Sequence, residues 1–310
     1  MAGMTVRFWG TRGSIPTPGR KTEKYGGNTT CLEIRLGNTM IVLDAGSGIR
    51  ELGESWAREF DGKTIRANLL LTHLHWDHIQ GFPFFAPAYQ AGNSLTVYGE
   101  DRPSGGIREL LGGQMRGDYF PTPLSAMRAK LEFRATAPEF EIDGLRVKTF
   151  KLPHPGGSLG FRIESDDSVF VLATDCELDL IARNAAEIKE NHHVVRQYDE
   201  QLLQFFRGVD LLVIDTQFLD EEYPMRRGWG HNPVATVVDL CHQVSPKMAA
   251  LFHHDPQHTD DMVTTLVMDA YQRLEQRGAR DMLIFAAREG VSMCVRRPRP
   301  PAKLGTVVAP

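Results

Sequence analysis

The chain has 310 residues, 42% hydrophobic and 24% charged, enough to bury a large core and long for one domain without demanding two. A net charge of −4 gives no global positive field to hold a long nucleic acid or an anionic membrane, whereas a small anion can still be held by a metal or a local arginine. Cys31, Cys176, Cys241 and Cys294 form no CxxC pair, "MAGMTVRFWG" lacks the build of a signal peptide, and no apolar run nears the roughly 18 residues that span a bilayer, so a soluble, cytoplasmic protein with reduced thiols is expected.

In chain order, "TVRFWG", "CLEIRLG" and "MIVLDAG" read as strands in close succession, the first two separated by the Gly/Pro/Thr-rich loop "GTRGSIPTPGRKTEKYGGNTT". "ANLLLTH", "SLTVYG" and "LEFRA" follow, with residues 101–128 forming a second long loop around a short helical pattern. Long loops of this kind in a compact domain are often the walls of a site. The later runs "LRVKTFKLPH", "GFRIES", "SVFVLATD", "DLLVIDTQF", "KMAALFHHD" and "DMLIFAA" are increasingly separated by helical patterns, and several are apolar throughout, as strands buried on both faces are. The expectation is an α/β fold of two mixed β-sheets packed face to face with helices outside, formed by residues 1–295 as one domain. Residues 296–310 form a basic, proline-rich tail expected to be extended or disordered. "IVLDAGSGIREL" has Gly46 and Gly48 after a strand, but the third glycine of a dinucleotide loop would fall at Glu51, so that reading fails.

The densest chemistry lies in "LLLTHLHWDHIQG". His73 and His75, two apart on an extended backbone, project to the same side, and Asp77 and His78 lie where the chain turns. A solvated His-rich loop is the alternative, disfavoured because three histidines and an aspartate crowd six positions directly after a buried strand. Neutral imidazoles suit zinc, manganese or iron, and an adjacent carboxylate suits a second cation. Hydrolytic two-metal sites hold their ions about 3.5–4 Å apart.

"THLHWDH" resembles the His-x-His-x-Asp-His signature of the metallo-β-lactamase superfamily, and His154 in "LPHPGG", Asp175 after "VFVLAT" and His253 in "LFHHDP" match its later ligand positions. The resemblance runs from "GTRGSIPTPG" to "FHHDP" and implies a four-layer αββα sandwich. It also implies that His73, His75 and His154 hold one divalent metal ion and Asp77, His78 and His253 a second, with Asp175 bridging the two. Zinc is the expected metal, with manganese or iron as alternatives. His254 could exchange roles with His253, which the resemblance prefers. Asp44 is expected to orient a metal-bound histidine, a turn-forming role being the alternative, and Asp215 leaves both readings open. His192, His193, His242 and His258 are assigned to the surface and Cys176 to packing.

In "GWGHNPVATVVDLCHQV", Val234, Val237, Val238, Cys241 and Val244 form an apolar helical face, with Asn232 as a candidate N-cap and Pro233 as first helical residue. His231 thus precedes a helix N-terminus, a place suited to an anion. The segment resembles the "GHS" motif of the tRNase Z, PhnP-like and cyclic-nucleotide phosphodiesterase branch, with Asn232 in place of serine. In that branch the histidine stabilises the scissile phosphate or protonates the leaving oxygen.

No counterpart of the long basic arm of tRNase Z is evident. The resulting expectation is a dinuclear hydrolase cleaving short or cyclic phosphodiesters through a metal-bridging hydroxide, with Asp77 and His231 catalytic and a homodimer allowed for. A carbon-centred hydrolase of the same fold, acting on a lactone, thioester or β-lactam, and a non-enzymatic metal- or nucleic-acid-binding module are the alternatives.

Overall fold

The computed structural model describes residues 3–279 and 282–296, so the expected tail lies, apart from Arg296, outside the described residues. Strands β1 (Met4–Gly10), β2 (Cys31–Leu36), β3 (Thr39–Leu43), β4 (Arg66–Leu70), β5 (Ser94–Gly99) and β6 (Lys130–Ala135) lie side by side in chain order. The second sheet comprises β7 (Glu139–Ile142), β8 (Leu145–Leu152), β9 (Ser158–Glu164), β10 (Val169–Ala173), β11 (Leu211–Asp215), β12 (Met248–Phe252) and β13 (Leu283–Ala286). The last strand, β14 (Ser292–Val295), returns to pair antiparallel with β1, giving two sheets of seven strands.

Each sheet is antiparallel in one half and parallel in the other. Two antiparallel pairs, β2–β3 and β7–β8, close through two-residue turns: Asp143 and Gly144 link β7 to β8 with φ of 48° and 83°, both positive as a two-residue hairpin favours. Parallel neighbours need crossovers, and helices supply several of them. Helix α1 (Ile49–Phe60) joins β3 to β4, and the short α2 (Trp76–Ile79) and α3 (Ile107–Gly113) flank β5. Further along run α4 (Ala185–Glu190), α5 (Glu200–Phe206), α6 (Tyr223–Arg226), α7 (Val234–Val244) and α8 (Asp260–Gln276).

Val6, Phe8, Ile34 and Leu43 of the first sheet meet Phe161, Phe170, Val213 and Phe252 of the second in a buried central core. The outer face of the first sheet packs under α1 through Leu52 and Trp56, and that of the second under α5 and α7 through Phe206, Val237 and Leu240. Every residue of β3, β10 and β11 is buried, which explains their unbroken apolar sequences. The architecture is the expected αββα metallo-β-lactamase sandwich. Among the described residues no helix is long and apolar enough to cross a membrane.

The structure differs from expectation in its margins. β7 and β14 are additional four-residue edge strands, short and half-exposed, that carry little strand signal. Helix α7 begins at Val234, with Pro233 in the cap position. Its first turn is capped from a distance, Asp220 Oδ1 accepting from the Ala235 amide at 2.8 Å. Asn232, expected to be the cap, is instead buried, and its Oδ1 accepts from the Leu178 amide at 2.8 Å. His258 is also buried rather than at the surface, its Nε2 3.0 Å from Glu222 Oε2.

The parallel halves of the sheets determine where chemistry gathers. The carboxyl ends of β3, β4, β10, β11 and β12 carry, in turn, Asp44, the segment from Thr72 to His78, Asp175, Asp215 and His253. Three of these residues leave their strands with positive φ: Asp44 at 60°, Asp175 at 53° and His253 at 61°. Such left-handed backbone at non-glycine residues is sparsely populated and clusters at functional sites.

Candidate metal centre

Two groups of donors converge at this edge: His73, His75, His154 and Asp175 in one, Asp77, His78, Asp175 and His253 in the other, with the facing atoms of each group within 4.8 Å of one another. All seven expected ligands are thus brought together. Asp175 faces both groups with different oxygens. Its Oδ1 lies 3.0 Å from His78 Nε2 and 3.2 Å from His253 Nε2, and its Oδ2 lies 3.6 Å from His73 Nε2 and 3.5 Å from His154 Nε2.

The His78 and His253 rings are aimed from behind. Asp44 Oδ2 accepts from His78 Nδ1 at 2.7 Å, while Asp44 Oδ1 accepts from the Thr72 amide at 2.7 Å, so this aspartate ties the β4 exit loop to the His78 ring. Gln217 Oε1 accepts from His253 Nδ1 at 3.0 Å, and the Gln217 amide nitrogen donates to Asp255. Asp77 Oδ2 accepts from the Ser14 amide at 2.7 Å and lies 3.2 Å from His253 Nε2. Such outer contacts fix the ring orientation and raise ligand basicity. His254 is turned away, its Nε2 donating to the Ala287 carbonyl at 2.9 Å, and burial lowers its pKa to about 3.

The donor set fits metal. His73 Nε2 is buried without a hydrogen-bond partner, and His154 Nε2 faces His75 Nδ1 at 3.1 Å, nitrogen to nitrogen. Crowded, unsatisfied buried nitrogens are costly unless a cation takes their lone pairs. Burial and neighbouring imidazoles lower the pKa of His73 well below the usual range; burial likewise lowers His75 and His154, keeping all three in the neutral form that binds metal. At Asp175 burial pushes upward, but His253, His78 and His73 hold the carboxyl well below its ordinary value. His78 shows the converse, because Asp175, Asp77 and Asp44 overcome its burial and raise it. Three carboxylates around one imidazole create a demand for positive charge there, which a metal ion meets in place of a proton.

His231 adjoins both groups, stacked on His253 with ring centroids 4.9 Å apart and edge-on to His154 at 5.3 Å. Its Nδ1 donates to Asp215 Oδ2 at 2.7 Å, and the Asn232 amide donates to Asp215 Oδ1 at 3.0 Å. Although burial lowers its pKa, Asp215 more than offsets this and raises it to about 9. Asp215, for which orienting a metal-bound histidine and forming a turn are both open in the sequence, instead meets His231, which is outside the seven candidate ligands. Cys176 packs in the outer core, as expected.

Several supporting residues carry no motif. Glu177 is buried and accepts from the amides of Gly228 and Gly230, each at 2.8 Å, and from the Tyr223 hydroxyl at 2.8 Å. The loop it holds presents the Gly230 carbonyl to His154 Nδ1 at 3.0 Å. Gly230 has φ of 94°, and a Cβ there would lie 2.2 Å from His154 Nδ1. Gly230→Ala is therefore expected to displace His154 and to cost about 10–100-fold in metal affinity or turnover, the usual worth of an outer contact. Calorimetric metal titration alongside turnover checks this, and unchanged affinity and rate would show that the loop does not hold the ring.

An αββα sandwich with paired His/Asp donor groups at one shared strand edge defines a metal-dependent hydrolase. The chain belongs to the β-lactamase superfamily, whose domain profile matches residues 39–254. It is 22% identical over 301 residues to ribonuclease Z of Thermoplasma acidophilum, covering 87% of this chain and 92% of that protein. The crystal structure of the metallo-β-lactamase fold protein YhfI from Bacillus subtilis is similar with a TM-score of 0.66 and 16% identity, over 94% of this chain and 99% of the other. A diphosphatase of the PhnP family is similar with a TM-score of 0.64 and 15% identity, over 94% and 100% of the two chains.

Proposed function

We propose that this chain is a dinuclear metal-dependent phosphodiesterase acting on short or cyclic phosphodiesters. The observation that carries the reading is the buried His231–Asp215 pair beside the paired donor groups, at 2.7 Å. A charged imidazole there suits a phosphodiester twice over, offering a proton to the leaving oxygen and positive charge to an anionic phosphoryl group, the second of which a neutral lactone or β-lactam does not require. The ribonuclease Z relative supports the same reaction class.

In this reading His73, His75 and His154 hold one metal ion, Asp77, His78 and His253 the other, and Asp175 lies between them. The imidazole-rich set favours zinc, with manganese or iron as alternatives. Bound divalent ions supply positive charge to the phosphoryl oxygens and lower the pKa of a water. Asp77, fixed by the Ser14 amide, orients the attacking water. Asp215 holds the His231 Nδ1 proton, so Nε2 faces the reaction and either donates to the leaving oxygen or holds the phosphoryl group.

Support for a small substrate comes from the wall between β5 and β6. Arg102, Arg108, Arg116 and Arg128 there are balanced by Glu100, Asp101, Glu109 and Asp118, and its helix α3 has only seven residues. That is a weak field for gripping a folded RNA.

The test is to assay metal-analysed protein against bis-p-nitrophenyl phosphate, cyclic nucleotides, a structured RNA, a lactone and nitrocefin. Turnover of the small phosphodiesters is expected, with loss in excess EDTA and recovery on adding back metal. Hydrolysis of the lactone or nitrocefin alone would overturn the reaction class, and cleavage of the structured RNA alone would overturn the substrate size.

A further inference from the structure

We propose that the aromatic cavity beside the metal centre is a nucleobase subsite, with Arg102 placed to hold the phosphate carried on the sugar of that nucleoside. This rests on the phosphodiesterase reading and names the substrate class, a nucleoside phosphate ester.

A cavity of about 630 Å³ is lined by Leu74, Trp76, Phe84, Arg102, Tyr119 and Phe120 among others. That volume is within the usual range of small-molecule sites. Leu74 and Trp76 alternate with His73, His75 and Asp77, so one short segment supplies a wall of the cavity and donors to both metal groups. The aromatic side chains here are unusually open to solvent: Trp76 and Tyr119 are each 75% exposed and Phe84 is 55% exposed. Trp9 and Trp56, by contrast, are buried and hydrogen-bonded to Glu33. Phe84 packs edge-on against Phe120 at 5.3 Å, giving a fixed wall rather than a loose patch.

Arg102 links this cavity to the cluster. Its Nη2 donates to the Gly157 carbonyl at 3.3 Å. The space above Gly156 is shared with the metal site, since a Cβ there would lie 3.4 Å from Arg102 Nη1 and 3.8 Å from His75 Nε2. Among the described residues no carboxylate pairs with Arg102, and its Nε is buried without a hydrogen-bond partner. An unpaired guanidinium beside a site built for cations is unfavourable until an anion arrives, and a phosphate ester suits its fork geometry.

A flat group must therefore fill the aromatic cavity while its attached anion reaches Arg102. Ser104 and the side-chain amides of Gln80 and Gln114, each of which gives one N–H to Thr29 Oγ1 or the Ile79 carbonyl and keeps its oxygen and second N–H, line the same wall, which suits a base with hydrogen-bonding edges better than a lipid tail.

Two paired comparisons test this. Thymidine 5′-p-nitrophenyl phosphate and methyl p-nitrophenyl phosphate share a leaving group and a charge, so their kcat/KM ratio isolates the nucleoside. The ratio is expected to favour the thymidine ester on the order of tenfold to a hundredfold, the worth of one base stacked on an aromatic ring. It is expected to fall towards unity in Trp76→Ala and in Tyr119→Ala, with metal content measured in each because Trp76 lies between ligand positions. In parallel, calorimetry on metal-loaded protein compares adenosine and thymidine 5′-monophosphates with methyl phosphate. The nucleotides are expected to bind tenfold or more tightly, an advantage reduced in both variants; Arg102→Ala is expected to weaken all three ligands. Equal affinity for nucleotides and methyl phosphate, or a preference surviving in both aromatic variants, overturns the subsite. Ester turnover without nucleoside preference removes the subsite and leaves the phosphodiesterase reading intact. Tight, Trp76-dependent nucleotide binding without turnover of either ester does the reverse.

Discussion

Asp175→Ala is expected to lose at least one of two bound metal ions and, with it, phosphodiester turnover, while the protein stays folded. The two oxygens of this carboxylate face opposite donor groups, Oδ1 towards His78 and His253 and Oδ2 towards His73 and His154. Removing it strips each group of an anionic donor and leaves five imidazoles around Asp77 alone. Crowded cations repel without the intervening negative charge, so the second ion loses most. The fold should persist because the backbone at 175 keeps its own anchor, the Asp175 amide donating to Asp215 Oδ2 at 3.1 Å. Elemental analysis and circular dichroism check the outcome. Two ions per chain retained in a folded Asp175→Ala protein would remove Asp175 from the centre.

The inner strands were legible because their apolar runs are buried on both faces, and His73, His75, Asp77 and His78 because they crowd the end of one such run, whereas His154, Asp175 and His253 were placed by resemblance, His154 following a half-exposed strand of mixed sequence. What aims the donors was less legible. Gln217 and Glu177 lie in "DTQF" and "DCEL", with no spacing that marks them, because their partners His253 and Gly230 come from other segments. The same limit explains two misreadings. Asn232 has the residue type of a helix cap, but Leu178 and Asp215 bind it first and Asp220 caps the helix. His258 has the polar neighbours of a surface loop, yet it is buried, with Glu222 taking its ring Nε2 and Arg12 donating to its carbonyl at 2.8 Å. Local propensity yields wherever tertiary hydrogen bonds offer a better partner.

His231→Ala is expected to discriminate between leaving groups. The substitution removes none of the seven candidate ligands, and His253 and His154, which lose the ring packed against them, keep their own hydrogen bonds to Gln217 and the Gly230 carbonyl, so both metal ions should remain. Asp215 keeps the amides of Asn232 and Asp175 but loses its charged partner, so the thermal midpoint should fall without loss of the fold. With an alkoxide leaving group, such as a nucleoside hydroxyl, the missing proton should cost roughly 10²–10⁴ in rate, the range of a positioned general acid. A p-nitrophenolate needs little protonation as it departs, so its ester should lose far less. Asp215→Asn should move the two rates in the same directions, because an amide there no longer stabilises a charged His231 imidazole. Rates for paired alkyl and p-nitrophenyl diesters, measured with metal content alongside, test this directly. Equal losses with both leaving groups would confine His231 to holding the phosphoryl group. No loss with either would remove the main reason for preferring a phosphodiester over a lactone or thioester.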